Sequence, residues 1–178
     1  QISNIKVYSA ADEPLIVQQV LEKALAENDM VLLTGGVSVG DYDFVVKATE
    51  GCGVQQLFHK IKQRPGKPLY FGRKDNKLVF GLPGNPSSVL CCFYEYVLLA
   101  LQAQLPVLRV PLAKSVQKPV GLTHFLKAWY DGKNVTSLDA QASYRMSSFA
   151  TSNCLLQIEE DAGSYDAGDL VEIHLLPF

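Results

Sequence analysis

The sequence predicts an α/β fold: a mainly parallel sheet flanked by helices, then a small C-terminal antiparallel β-barrel or sandwich. Three observations carry that expectation. Over the first hundred residues, β-prone runs alternate with helical periodicity, the pattern of strands joined by helical crossovers. Gly- and Pro-rich turns separate strands from the helices that follow them. Beyond Leu105-Pro106 helical periodicity stops, and short β-prone runs recur, punctuated by Gly and Asp.

The elements can be justified in order. Ile5 to Tyr8 is a short β-prone run. Asp12 precedes Pro14, which suits a first helical turn, and Ile16, Val17, Val20, Leu21, Ala24 and Leu25 then repeat at helical spacing. Met30 to Thr34 is a continuous apolar run of the kind found in strands covered on both sides. A Gly-rich turn leads to a second helix ending near Glu50, and Val54 to Ile61 is strand-like. Leu69 to Phe71 and Leu78 to Leu82 read as a hairpin across Arg73 to Lys77, followed by a long helix to about Leu105. The β-prone runs of this barrel or sandwich are Val107 to Val116, Phe125 to Tyr130, Asn134 to Leu138, Cys154 to Glu159 and Leu170 to Leu175. Two domains follow, residues 1–106 and 107–178.

Composition narrows the function classes. The 178 residues are 48% hydrophobic and 19% charged, which excludes a disordered or collagen-like chain. Sixteen basic against eighteen acidic residues argue against a nucleic-acid partner, while leaving room for a local cationic pocket. The longest apolar stretch, Val89 to Leu105, contains Glu95 and two glutamines and falls short of the roughly 20 apolar residues of a membrane span. Cys52, Cys91, Cys92 and Cys154 show no CxxC spacing, so a reduced, cytoplasmic protein is expected. His59, His124 and His174 show no metal-ligand spacing and read as ordinary structural residues.

Three turns hold the chemistry. In the first, Thr34, Gly35, Gly36, Ser38, Gly40 and Asp41 join an apolar strand to a helix; glycines let the backbone approach a ligand, and a helix start favours anions. It is neither a Walker A loop nor a dinucleotide fingerprint, and a plain Gly-rich turn would read the same way. In the second, Pro65, Gly66 and Pro68 fix the backbone while Lys60, Lys62, Arg64 and Lys67 crowd around it; this is a phosphate or oxyanion site or a solvated basic turn. In the third, Pro83, Gly84, Asn85, Pro86, Ser87 and Ser88 again run from strand to helix, with Asn85 as N-cap and two hydroxyls beside the helix start. The three turns are expected to converge on one pocket. Asp12, Asp41 and Asp43 place carboxylates near them, the donors Mg²⁺ takes alongside substrate phosphates, although composition alone favours helix capping for Asp12 and Asp41 and leaves Asp43, inside the helix start, as the odd one.

TGGVSVGDYDF, RPGKPLYFG and FGLPGNPSSVL, in that order and spacing, resemble the molybdopterin molybdotransferases of molybdenum-cofactor biosynthesis, the MoeA type that includes the gephyrin E domain. The tail RMSSFATSNCLLQIEEDAGSYDAGDLVEI is similar to the family's C-terminal β-barrel. The resemblance implies a metal-dependent reaction in which adenylylated molybdopterin takes up molybdate and releases AMP. It assigns Asp43 and Asp12 to the metal and phosphate site, Lys60 and Arg64 to catalysis beside Lys67, Ser88 or Ser87 to the molybdate pocket, and Lys127, Ser147 and Ser148 to the barrel side. Relatives often carry Arg where this chain has Lys127, and Gln where it has Arg145. They are homodimers whose active site borrows residues from the partner's N-terminal half. The resemblance therefore implies a C-terminal portion, its α/β sheet incomplete at the N-terminus and its tail a small C-terminal β-barrel, expected to bind ligand weakly and turn over poorly. Two other readings stand beside this one: a molybdopterin adenylyltransferase, which shares the Gly-rich turn but lacks the barrel, and a non-enzymatic scaffold module.

Overall fold

A computed structural model describes residues 2, 4–36, 44–139, 141–142 and 146–177. In chain order the elements open with α1 (Pro14–Glu27), β1 (Met30–Thr34), α2 (Phe44–Gly51), β2 (Gln55–His59), β3 (Gln63–Arg64), β4 (Tyr70–Lys74) and β5 (Lys77–Leu82). There follow α3 (Pro86–Cys92), a π-helical turn (Phe93–Val97) and α4 (Leu98–Ala100). The remainder is β6 (Val107–Pro111), β7 (Val116–Gln117), β8 (Thr123–Tyr130), β9 (Val135–Ser137), α5 (Ser147–Ala150), β10 (Cys154–Ile158), β11 (Ser164–Tyr165) and β12 (Leu170–Leu175). No helix among the described residues is long and apolar enough to cross a membrane.

The chain forms two compact units, residues 1–60 with 68–84, and residues 61–67 with 85–178. They interleave, where the sequence suggested one cut after residue 106. Two local facts explain this. β3 pairs with β8 of the C-terminal unit, and Leu90, Cys91, Tyr94 and Leu98 pack with Phe125, Phe149, Leu155 and Leu176 of the same unit.

In the first unit the sheet order is β1-β5-β4-β2. β1 and β5 are parallel, whereas β4 is antiparallel to both β5 and β2, so the sheet is mixed rather than mainly parallel. A tight turn at Asp75 and Asn76 reverses the chain between β4 and β5 and makes that pairing necessarily antiparallel. The apolar stripe of α1 and Val45 and Ala48 of α2 share one core with Val31, Leu33, Tyr70 and Val79, so both helices lie on one face. Phe58, Phe71 and Phe80 line up on the other, with ring centroids 5.4 and 4.5 Å apart. Leu32 is 39% exposed, so β1 alternates instead of being covered on both sides. Ile5 to Tyr8 forms no strand; Lys6 and Tyr8 bind Glu27 at the end of α1, and Ile5 and Val7 face solvent.

In the second unit a sheet runs β3-β8-β10-β12-β6, with β9 on β8 and a separate β11/β7 pair. Among the described strand pairs of this unit only β3/β8 is parallel. Alternating residues Val110, Ala128, Cys154, Leu156, Ile158, Val171 and Ile173 form its core. The ladder is an open path; a single bridge joins Leu112 to Val135. The long helix stops at Ala100, short of Leu105, because Gln102 adopts φ 58° and the Ala103 N–H donates to the Leu98 carbonyl. Glu95 on the π-turn meets His174 of β12 at 2.8 Å, with Glu172 at 3.2 Å on the other ring nitrogen, so His174 is more than a sheet residue. Burial alone would lower the His174 pKa; the hydrogen bond and charge of Glu95, with Glu172 behind them, outweigh it and leave the pKa raised.

Candidate functional site

Because β1 and β5 run parallel with Thr34 opposite Leu82, their carboxyl ends lie side by side. The turns that leave them therefore meet. The Gly35 N–H donates to the Leu82 carbonyl at 3.3 Å, and a Cβ on Gly84 would lie 3.7 Å from the Gly35 Cα. Gly35 and Gly36 adopt φ of 83° and 65°, a region L side chains rarely enter. Pro83 is buried, while Thr34, Gly36 and Gly84 are exposed, so backbone faces solvent at a strand-end edge of the kind that takes ligands in α/β sheets. The Val45 N–H of α2 points back to the Gly36 carbonyl at 3.5 Å. Ser38, Gly40, Asp41 and Asp43 lie outside the described residues, as does Arg145. Asp12 is exposed, and Glu13 rather than Asp12 occupies the N-cap of α1. Lys60, also exposed, adopts φ 72° and donates its N–H to the Leu69 carbonyl.

The second and third motifs meet in the other unit. The Ile61 N–H donates to the Lys67 carbonyl at 2.9 Å and closes the basic turn at its base. Inside it, the buried Gln63 donates from Nε2 to the Pro65 carbonyl at 2.7 Å and accepts from the Tyr96 O–H. Gly66 adopts φ 98° and lies against α3: its carbonyl accepts from the Cys92 thiol at 3.8 Å, and an added Cβ would overlap Cys92 Sγ. That same position is 4.0 Å from the Ser88 carbonyl. Pro86 begins α3, and the Asn85 carbonyl accepts from the Ser88 and Val89 N–H groups, as an N-cap residue's does. Ser87 and Ser88 are buried, whereas Arg64 and Lys67 are exposed. The result is two surface cations on a rigid turn, an arrangement that can hold an oxyanion.

One neighbouring position responds to the cations around this turn. His124 stands opposite Arg64 in the β3/β8 register. Burial first, and then the charges of Lys118 and Arg64, push its pKa down.

The barrel-side residues occupy different surroundings. Lys127 is 3% exposed; its Nζ donates to the Ala142 carbonyl at 3.2 Å, and its backbone is bracketed by Gln141. Ser148 is buried in α5. Ser147 is exposed at the rim of an apolar hollow of about 390 Å³ that includes Leu90, Tyr94, Met146 and Phe149.

Gln63 and Tyr96 are the residues sequence reasoning missed. Gln63 sits in a run of cations that looks solvated, and Tyr96 in an apolar helix that looks like core, so neither carries a local signal of its role. The four cysteines are free and buried, and burial raises all their thiol pKa values, those of Cys92 and Cys154 to about 12. That makes them poor nucleophiles at neutral pH. No group of three or more His, Cys, Asp or Glu side chains placed to hold a metal ion occurs among the described residues.

Comparison with known proteins supplies the family. A model described as a probable molybdopterin binding domain matches residues 3–108, and one described as the MoeA C-terminal region (domain IV) matches residues 109–176. The chain belongs to the MoeA-type molybdopterin-binding family. Among its MoeA-type relatives, the molybdopterin molybdenumtransferase of Haemophilus influenzae is 37% identical over 170 residues, covering 86% of this chain and 42% of that protein. The protein of the same name from Staphylococcus epidermidis strain RP62A is 31% identical, covering 88% and 40%. The crystal structure of the molybdopterin biosynthesis MoeA protein from Pyrococcus horikoshii OT3 superposes with a TM-score of 0.72 at 30% identity, over 93% of this chain and 40% of that one. A molybdenum cofactor biosynthesis protein from Pyrococcus furiosus gives 0.73 at 28%, over 93% and 55%. The chain thus spans about two fifths of the length of the curated MoeA-type proteins it matches.

Proposed function

We propose that this chain acts in molybdenum-cofactor biosynthesis as part of a molybdopterin molybdotransferase, binding adenylylated molybdopterin and molybdate and assisting release of AMP as molybdenum enters the dithiolene. The observation that carries the proposal is the meeting of the Gly35 and Gly84 turns at the carboxyl ends of parallel β1 and β5. Exposed backbone there takes a phosphate of the substrate, with Ser38, Gly40 and Asp41 continuing the same turn in sequence. In the other unit, Arg64 and Lys67 offer fixed cations to the tetrahedral molybdate dianion beside the start of α3. Lys60 supplies a further cation. Lys127, Ser147 and Ser148 shape the barrel side; barrel closure through the Leu112–Val135 bridge belongs to the same reading.

Asp12 and Asp43 are the hard oxygen donors that suit Mg²⁺, an ion commonly held by one or two carboxylates and completed by substrate phosphates and water. Bound there, the ion would neutralise charge on the departing phosphate. The working protein is a cytoplasmic homodimer, and the chain by itself binds ligand weakly and turns over poorly.

Calorimetry with AMP tests the core of the proposal. Gly84→Val, which fills the space beside Gly35, should weaken AMP binding at least tenfold with the circular dichroism spectrum unchanged. Equal affinity would remove these turns from the site. AMP release from adenylylated molybdopterin, with molybdate and Mg²⁺ present, should be far slower for this chain than for the Haemophilus relative; equal rates would overturn the expectation of weak turnover.

A further inference from the structure

The structure assigns Gln63 and Tyr96 as positioning residues for the Arg64–Lys67 turn, resting on the reading of that turn as an oxyanion-binding element. Gln63 is 2% exposed in a stretch whose neighbours Lys62 and Arg64 are exposed. A buried amide without partners is costly, so its bonds say what it is for. Its Nε2 donates to the Pro65 carbonyl at 2.7 Å and lies 3.9 Å from Cys91 Sγ, while its Oε1 accepts from the Tyr96 hydroxyl. Both ends of the amide are thereby used, one on the turn and one on the helix.

The helix is built for the reach. Tyr96 lies in the π-turn Phe93–Val97, where one extra residue rotates the following side chains by about 100° relative to a continuous α-helix. From the same π-turn Glu95 binds His174 on β12, so the segment is anchored to the sheet on one side and to the basic turn on the other. The turn is closed independently by Ile61 N–H to Lys67 O, and Gly66 lies against Cys92. The flanking backbone of Arg64 and Lys67 is therefore set before a ligand arrives, which removes the ordering cost that two long side chains on a loose loop would otherwise impose. Gln63 and Tyr96 do this without offering a group to the ligand.

The test uses the 178-residue chain, molybdate as probe, and hydrogen exchange of the backbone amides. Tyr96→Phe and Gln63→Met should each weaken molybdate binding about three- to tenfold, and the double variant should be no weaker than Gln63→Met alone, since both cut one link. Exchange should quicken at residues 61–67 and stay unchanged at β8 and β10. Unchanged affinity, or exchange quickened uniformly through the unit, would overturn the assignment, because a merely structural bond loosens the whole core. Arg64→Ala separates the two claims. If the unaltered chain takes up no molybdate, or Arg64→Ala binds it equally well, the oxyanion reading fails. Exchange at residues 61–67 then decides the positioning role: local quickening supports it and none refutes it.

Discussion

Gly66→Ala is the sharpest single perturbation of this fold. Two costs coincide there. The backbone sits at φ 98°, where an L side chain is strained by about 1–3 kcal/mol. The added methyl also overlaps Cys92 Sγ, which is fully buried on α3, a second cost of about 1–3 kcal/mol. Gly132→Ala isolates the first cost, since Gly132 has φ 95° and nothing within 4 Å of an added Cβ. With a urea slope of roughly 2 kcal/mol/M, an overlap cost of about 2 kcal/mol lowers the unfolding midpoint of Gly66→Ala by about 1 M beyond that of Gly132→Ala. Trp129, the sole tryptophan, lies on β8, so its fluorescence follows the unit that contains both glycines. Cys92→Ala removes the overlapping atom and should recover most of the excess in the double variant, a coupling of about 1–3 kcal/mol. Equal midpoints for the two glycine variants, or no recovery with Cys92→Ala, would refute the packing of the basic turn on α3.

Further expectations follow from buried polar groups. His174 has a folded-state pKa raised above its ordinary 6.5, so its stabilising contribution is complete below pH 6.5 and is lost as pH rises through the folded value. Urea midpoints of the unaltered chain should therefore fall above pH 6.5 with a component that is absent in His174→Gln. Glu95→Ala leaves His174 with only the more exposed Glu172 and should cost about 3 kcal/mol at pH 6, read by the same fluorescence titration. The four thiols should be unreactive toward a disulfide reagent at pH 8 in the native state and all titrate in denaturant; a fast native thiol would contradict their burial. In an active, longer MoeA-type protein, the substitution equivalent to Asp43→Asn should abolish metal-dependent AMP release while sparing the fold; an unaffected rate would remove that carboxylate from the mechanism.

Elements whose determinants are local were legible from the sequence. Pro14 and the stripe from Val17 to Leu25 located α1, and Asp75-Asn76 between β-prone runs located the β4/β5 hairpin. β12 spans the β-prone run Leu170 to Leu175, which Gly168 and Asp169 precede. What failed depended on partners distant in sequence. Ile5 to Tyr8 has strand composition but no ladder, and composition cannot supply a partner. The end of the long helix turned on one residue, Gln102, in a conformation unusual for its type. α5 is too short for periodicity to show, and Glu95–His174 joins residues 79 apart. Gly35 and Gly84 were legible because glycines announce a backbone requirement locally; Gln63 and Tyr96 were not, because a buried amide and a half-buried phenol state their role only through what they touch.

The sheet shows how two Gly-rich turns can meet even though the sheet is mixed rather than mainly parallel. A strand-end site needs two neighbouring strands that deliver their carboxyl ends to the same edge, and antiparallel neighbours cannot do that. The first unit has one parallel pair, β1/β5, and both Gly-rich turns leave from it. β4 is antiparallel to β5 and places its amino end on that edge, so it adds a spacer in the sheet and no third turn of the same kind. The basic turn instead contains β3, which pairs with β8 in the one parallel strand pair among the described residues of the other unit, and is fixed by side chains from α3 and the π-turn. Among the described residues parallel strand pairing is thus sparse, and it occurs beside the Gly-rich and basic turns. A variant that disrupts the β1/β5 register should consequently abolish AMP binding, even where the antiparallel hairpin and its aromatic face persist.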